Sequence, residues 1–358
     1  MATIAGAGGV QINTAISGGQ LYTALQNALS SLNTGVTADI INPSKPKDSG
    51  PTERNIINVG PGNVDLGNGA NTEDALILNA ATPTASATLT GSSSPPHSVE
   101  LLVGNNGPNT INGAGGTGTI IGGDGGNLVQ LNGASSTGGS YNVVVGAGND
   151  TIVINSGNAT LTNYGGADVV SVTGNSTLSV GAVTSGSVSI NQTGGSDTFT
   201  FSQGSVSLNI SSAGKATVAG GSATANVTVS GGGSVTYSSG NAVISTGAGN
   251  DTIIAGTGDL TVYAGAGNDS FVGAAGKELY NFVSSSISPT STYVINSFAG
   301  GAGNDTIGLS GVSINSQLTG ATVAGAAGTG DLITLSNGSK IFLQGYNSTV
   351  TSVSGGYH

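Results

Sequence analysis

GAGNDTIIAGTGDLTVYAGAGNDSFVG, residues 247–273, consists of three successive nine-residue units. Gly247-Ala248-Gly249-Asn250-Asp251 returns eighteen residues later as Gly265-Ala266-Gly267-Asn268-Asp269. Each unit has a glycine-rich half and an apolar half. Glycine lets the chain turn through backbone angles closed to other residues, and Thr252-Ile253-Ile254 or Leu260-Thr261-Val262-Tyr263 then reads as a short strand with alternate residues on opposite faces. One turn plus one strand is half a coil, so a full coil takes about eighteen residues, an interval of the kind that marks repeat architectures. The spacing predicts an all-β parallel β-solenoid with Asp251 and Asp269 one above the other on the same edge. Stacked carboxylates repel unless a cation lies between them. With no Cys and two His in the chain, such turns offer oxygen: aspartate carboxylates and the carbonyls of closely approaching glycines, a donor set that suits a hard divalent ion.

The units resemble the RTX nonapeptide repeat, G-G-x-G-x-D-x-U-x, a signature of calcium-binding parallel β-helices. Gly300-Gly301-Ala302-Gly303-Asn304-Asp305-Thr306-Ile307-Gly308 is the fullest match, and copies beginning at Val145, Thr246 and Ala264 lack only the first glycine. A degenerate copy, Gly166-Ala167-Asp168-Val169-Val170, puts its aspartate eighteen residues after Asp150. The resemblance implies an RTX-like β-roll that binds Ca2+ through Asp150, Asp168, Asp251, Asp269 and Asp305. The ligating turns would contain Gly146, Gly148, Gly247, Gly249, Gly265, Gly267, Gly301 and Gly303, with affinities of ~10⁻⁴ to 10⁻³ M as in extracellular modules. It also implies bacterial type I secretion through an uncleaved C-terminal signal. The tail from Asp331-Leu332-Ile333 through Ile341-Phe342-Leu343 to Tyr357-His358 is similar to the β-rich ends of such proteins. The competing reading of these aspartates is that Asn-Asp after Gly is good turn chemistry. Asp259 falls on the opposite edge and one residue out of step, and Asp124, in Gly122-Gly123-Asp124-Gly125-Gly126, reads as a turn residue because no hydrophobe follows at the proper offset. Between the motifs the spacing persists while the aspartates vanish, which predicts a solenoid held by a few calcium staples.

Composition narrows the function. Of 358 residues 64 are glycine and only 6% are charged, yet apolar β-branched runs recur regularly, so the chain is expected to be ordered. A net charge of −11 rests on 17 acids against six bases, Lys45, Lys47, Arg54, Lys215, Lys277 and Lys340. Six scattered cations make no surface for phosphates, which excludes nucleic acid as a partner class, and anionic membranes repel such a chain. Residues 1–19 have no basic segment leading into a long apolar core, so export without a cleaved N-terminal signal is expected, and no stretch is long enough to span a membrane.

Three segments follow: 1–50, a cap or docking segment with a linker; 51–275, the solenoid; and 276–358, a C-terminal β region with one further repeat. In the first, Leu21, Leu25, Ala28, Leu29 and Leu32 at helical spacing, with Gly35 at the stop, predict a helix after a short strand at Val10-Gln11-Ile12. It either caps the first coil or docks a neighbouring subunit. Asn42 to Arg54, with three prolines and half of the bases, reads as a linker or exposed arm. Residues 274–299 break the nine-residue period.

Catalysis on a β-helix needs a general base and charge partners for its substrate. Here His97 sits in a Pro-rich loop, His358 at the end of the sequence, Arg54 stands alone, and Glu73-Asp74 is the one acidic pair outside the turns, so no enzyme is expected. The expectation is a structural protein that assembles with copies of itself outside the cell, as a surface layer, filament or biofilm matrix. The alternative is a carbohydrate-binding or adhesin module that attaches to cell-surface polysaccharide. Aromatic platforms would mark it, and Tyr141, Tyr164, Tyr237 and Tyr263 lie on separate coils.

Overall fold

The computed structural model describes residues 2–5, 11–14, 19–32, 37–41, 53–59, 63–65, 73–78, 87–90, 100–113, 117–131, 139–183, 187–202, 205–211, 214–300, 305–353 and 356–357. The chain divides into two compact units, Met1–Ile190 and Asn191–His358, and the all-β parallel solenoid expected from the repeats is present in each. The Pro-rich part of the linker and the loop around His97 lie outside the described residues, as do His358, Gly301 and Gly303. Strand Glu53–Val59 begins within the expected linker, at Glu53.

In the first unit, successive strands alternate between two parallel sheets. On one, Leu128–Leu131, Thr151–Ile154 and Ala167–Val172 pair so that Val129, Ile152 and Val170 stack. On the other, Ile120, Val143, Leu161 and Val180 form a column across Thr117–Ile121, Gly139–Val145, Gly157–Asn163 and Ser176–Val183. These inward residues are buried. The alternation that put Val, Ile and Leu on one face and Ser and Thr on the other is what fills this narrow interior, because a strand shows alternate side chains to core and solvent.

The second unit repeats the pattern. Val235, Ile253, Phe271 and Ile295 stack on one sheet, and Ile244, Val262, Tyr280 and Ile307 on the other. The step is eighteen residues from Ile253 to Phe271 and twenty-four from Phe271 to Ile295. Residues 284–291 form turns between strands Glu278–Val283 and Thr292–Asn296, so the sequence period breaks where the parallel ladder does not. At the C-terminal side, strand Lys340–Gln344 adds in parallel to Thr292–Asn296, then continues antiparallel into Gly330–Leu335 and Ile314–Ala321. Aromatic residues widen this part of the core, with Phe282 edge-on to Tyr293 at 4.9 Å between ring centres.

The helix, α1, spans Gly19–Leu32, and strands Ala2–Ala5 and Gln11–Thr14 pair as a separate antiparallel hairpin. Leu21, Leu25 and Leu29 lie one turn apart and pack on Leu101, Val103, Ile121 and Val144. Those four side chains belong to the outer face of the sheet, since their neighbours Leu102, Ile120 and Val143 supply the interior column. The helix therefore covers the side of the first unit, where an outward row of apolar residues on its own chain matches its leucine stripe. Leu25→Ala is expected to cost about 2–3 kcal/mol of helix docking. Circular dichroism should then lose its helical component on mild heating before the β signal melts.

Candidate metal sites

The Gly-x-Gly-Asn-Asp turns form the edges of the coils, and each aspartate tucks under the preceding coil. In the second unit the Asp251 N–H donates to Asp269 Oδ1 (3.0 Å), while the Gly233 and Gly232 N–H groups donate to Asp251 Oδ1 at 2.7 and 3.1 Å. In the first, the Asp150 N–H donates to Asp168 Oδ1 (2.9 Å), and the Asn127 N–H to Asp150 Oδ1 (2.7 Å). The asparagines before Asp150 and Asp251 point outward and tie adjacent coils: Asn250 Oδ1 accepts from the Asn268 N–H at 2.8 Å, and Asn149 Oδ1 from the Ala167 N–H at 2.9 Å. Turn chemistry thus explains the Asn. It does not explain the Asp.

Asp150, Asp168, Asp251 and Asp269 are each only 1% exposed. One oxygen of each takes a backbone donor, but Oδ2 of Asp150, Asp168 and Asp251 is buried with no hydrogen-bond partner. Asp269 Oδ2 accepts from the Thr246 hydroxyl at 3.1 Å. Burial pushes the carboxyls up, Asp150 to about 6, and Asp168 and Asp269 to about 7; Asp251 is raised for the same reason. Bare buried carboxylate oxygens are costly unless a proton or a cation completes them.

The predicted glycines line these edges. Gly249 and Gly267 adopt φ of +122° and +131°, and a Cβ on Gly267 would run into the carbonyl oxygen of Gly249. Gly265 lies equally close to the Gly247 and Thr246 carbonyls, Gly247 against Val229, Gly146 against Gly123, and Gly148 against Gly125. Among the described residues no three His, Cys, Asp or Glu side chains converge on one point. A cation here would therefore be held by paired carboxylates together with turn carbonyls, an all-oxygen set that fits Ca2+ and gives a transition metal no soft ligand. Asp150 with Asp168, and Asp251 with Asp269, would hold it.

Asp305 lies elsewhere. It heads a strand of the opposite sheet, in register with Glu278, whose N–H donates to Asp305 Oδ1 at 3.0 Å; the Ala299 N–H donates to Oδ2 at 2.9 Å. Glu278 is 1% exposed, and burial, with Asp305 beside it, pushes its carboxyl up to about 8. Sequence reasoning missed Glu278, although it falls nine residues after Asp269 behind Gly273 and Gly276. Asp259 is exposed and accepts from the Lys277 N–H at 3.0 Å. Asp124 is exposed in its turn.

A parallel solenoid with glycine turns that bury carboxylates at its edges is a β-roll. In keeping with this, the family model of the RTX calcium-binding nonapeptide repeat matches four copies, over residues 99–129, 245–277 and 295–307. The chain carries RTX-like calcium-binding repeats, and the matched segments contain Asp251, Asp269 and Asp305. Comparison with curated proteins gives no match, and comparison with solved structures gives none either.

Proposed function

We propose that this chain is a calcium-stabilised structural protein that works outside a bacterial cell and assembles with copies of itself into a surface layer, filament or biofilm matrix. The observation that carries the reading is the stack of buried, half-satisfied carboxylates over glycine turns, which has a structural use for an ion available at millimolar concentration outside cells and no evident catalytic one. Export by the type I route, carried over from the RTX repeats, belongs to the same proposal. No described helix is long and apolar enough to cross a membrane.

Self-association is supported by strand Ile314–Ala321, which pairs with Gly330–Leu335 on one side and carries no charge along its length. Leu318 on this strand is 61% exposed. In a molecule of net charge −11 an uncharged strand is where two copies approach with least repulsion, and an edge with free N–H and C=O groups is a template for pairing. Electron microscopy of the purified protein in chelator and again in millimolar calcium tests the reading. Ordered sheets or filaments that form only with calcium are expected; dispersed particles in both conditions would remove it.

A groove of about 550 Å³ beside α1 favours the second reading, attachment to a polysaccharide. Gln20, Thr23 and Asn27 of α1 face Asn142, Thr162 and Tyr164 of the sheet across it. Amides, hydroxyls and one aromatic ring without a charged group suit a neutral sugar. Saturable binding of neutral oligosaccharides by dispersed particles would establish attachment in place of assembly.

A further inference from the structure

The RTX-matched segment 99–129 contains Asn109 and Asn127 at the heads of two strands, eighteen residues apart. Their surroundings differ from those of the aspartates in one respect. The Asn127 side-chain amide donates to Asp150 Oδ1 at 2.8 Å and to the carbonyls of Gly125 (2.5 Å) and Gly123 (3.4 Å), and its Oδ1 accepts from the Asn109 amide at 2.8 Å. The Asn109 amide in turn donates to the carbonyls of Gly107 (2.7 Å), Asn105 (2.9 Å) and Gly122 (3.1 Å). Both side chains are buried.

The same arrangement arises from a different residue in the second unit. Gln192, 1% exposed, donates from Nε2 to Asp197 Oδ2 at 2.6 Å and to the Lys215 carbonyl at 2.9 Å, with the Gly194 and Gly195 carbonyls at 3.4 Å. In all three cases an NH2 group sits among backbone carbonyls, with a carboxylate oxygen as a further partner at Asn127 and Gln192 and the Asn127 amide oxygen at Asn109. That is an oxygen cage of the kind a hard cation would occupy, and the amide protons supply the positive potential it would provide.

We infer that a side-chain amide takes the place of the metal ion in the coils of Asn109, Asn127 and Gln192, so that these coils are closed without calcium although the segment 99–129 matches a calcium-binding repeat. At the strand heads, amide or carboxylate then decides which coils depend on the ion, and Gln192 supplies its amide from the end of strand Ser187–Gln192 instead. Asn127 has both side-chain atoms partnered; Asn109 Oδ1 and Gln192 Oε1 are bare but belong to neutral amides, whereas the bare Oδ2 atoms of Asp168 and Asp251 belong to carboxyls that need a proton or a cation. Asp150 stands at the junction, with Oδ1 taken by Asn127 and Oδ2 bare. Such a chain has a metal-independent stretch in each unit from which ion-dependent coils can be added, because solenoid coils are stabilised by their neighbours. This rests on the reading that calcium fills the aspartate coils.

Hydrogen exchange of the full chain, in chelator and in millimolar calcium, reads the two kinds of coil separately. Segment 247–273 should gain about ten-fold or more protection with calcium, while 100–131 changes by less than about two-fold. The Asn127→Asp variant should bind one more calcium ion than wild type by equilibrium dialysis, and its chelated form should melt lower, because a carboxylate would then face the Gly123 and Gly125 carbonyls and Asp150 with nothing between. The Asn127→Ala variant, which removes the amide without adding charge, should lose stability equally with and without calcium. Calcium-dependent protection of 100–131 equal to that of 247–273 would overturn the inference, as would an unchanged ion count in Asn127→Asp. Absence of any calcium effect on 247–273 would instead remove the proposed role of the aspartates, and Asn127→Asp would still report on the amide cage.

Discussion

Stripped of divalent ions, the protein will melt at a higher temperature near pH ~5 than near pH ~8, the reverse of what acidic residues in salt bridges produce. Asp168 has an ordinary value of 3.8 that burial raises to about 7 in the folded chain, and Asp150 and Asp269 move the same way. The folded state therefore holds more protons than the unfolded state between these values. Stability is fully present below 3.8 and is lost as pH rises through about 7. A shift of this size is on the order of 4 kcal/mol for Asp168 alone, and the stacked neighbours, which share one field, add less than their separate sum. Calcium reverses the dependence, because it binds the ionised carboxylates and competes with protons for the bare Oδ2 atoms. The rise in melting temperature on adding calcium should thus be larger at pH ~8 than at pH ~5. Thermal melts at both pH values, with and without chelator, decide it. A chelated protein whose melting temperature is flat or increases across this range would show that the buried carboxylates do not carry the stability assigned to them.

The contrast between GAGND in the sequence and the edge it forms shows what could be read in advance. Repetition at eighteen residues is a backbone property, so Asp251 and Asp269, or Asp150 and Asp168, could be placed one above the other without coordinates. The columns of Val, Ile, Leu and Phe follow from the same count. Asp305 could not be paired this way, because residues 284–291 add a turn between Asp269 and it, and only the parallel pairing of Leu279 with Thr306 shows that its neighbour is Glu278. A frame of nine rather than a search for aspartate would have found Glu278. The position of α1 was hidden for another reason. Its leucine stripe announces a partner but not which surface supplies it, and the outward row Leu101, Val103, Ile121 and Val144 reads as ordinary strand alternation until the helix is seen across it. The amide cages were the least legible, since Asn109, Asn127 and Gln192 are common residues in a chain rich in Asn, and what distinguishes them is the ring of carbonyls that folding brings around each NH2.

Gly267→Ala will destabilise the second unit by about 3–5 kcal/mol, whereas Gly320→Ala will cost about 1 kcal/mol. Both glycines have positive φ, +131° and +75°, so both substitutions introduce backbone strain. They differ in what the new methyl meets. At Gly320 nothing lies within 4 Å, while at Gly267 the Gly249 carbonyl occupies the space. That oxygen is backbone and cannot swing aside as a flexible side chain would. Gly249 is itself held by its N–H donating to the Ala266 carbonyl at 2.9 Å, and residues 248 and 266 form a parallel bridge. Accommodating the methyl therefore means separating two coils at the edge where Asp251 and Asp269 stack. The loss should appear in chelator as well as in calcium, because it arises from the close approach of two turns and not from the ion. It should also blunt the calcium-dependent protection of 247–273, since carbonyls pushed apart no longer face a common point. Denaturant midpoints of the two variants, each with and without calcium, test this. Equal and small losses for Gly267→Ala and Gly320→Ala would mean that the turns need glycine for its backbone angles alone, and that the tight stacking of carbonyls does not define the edge.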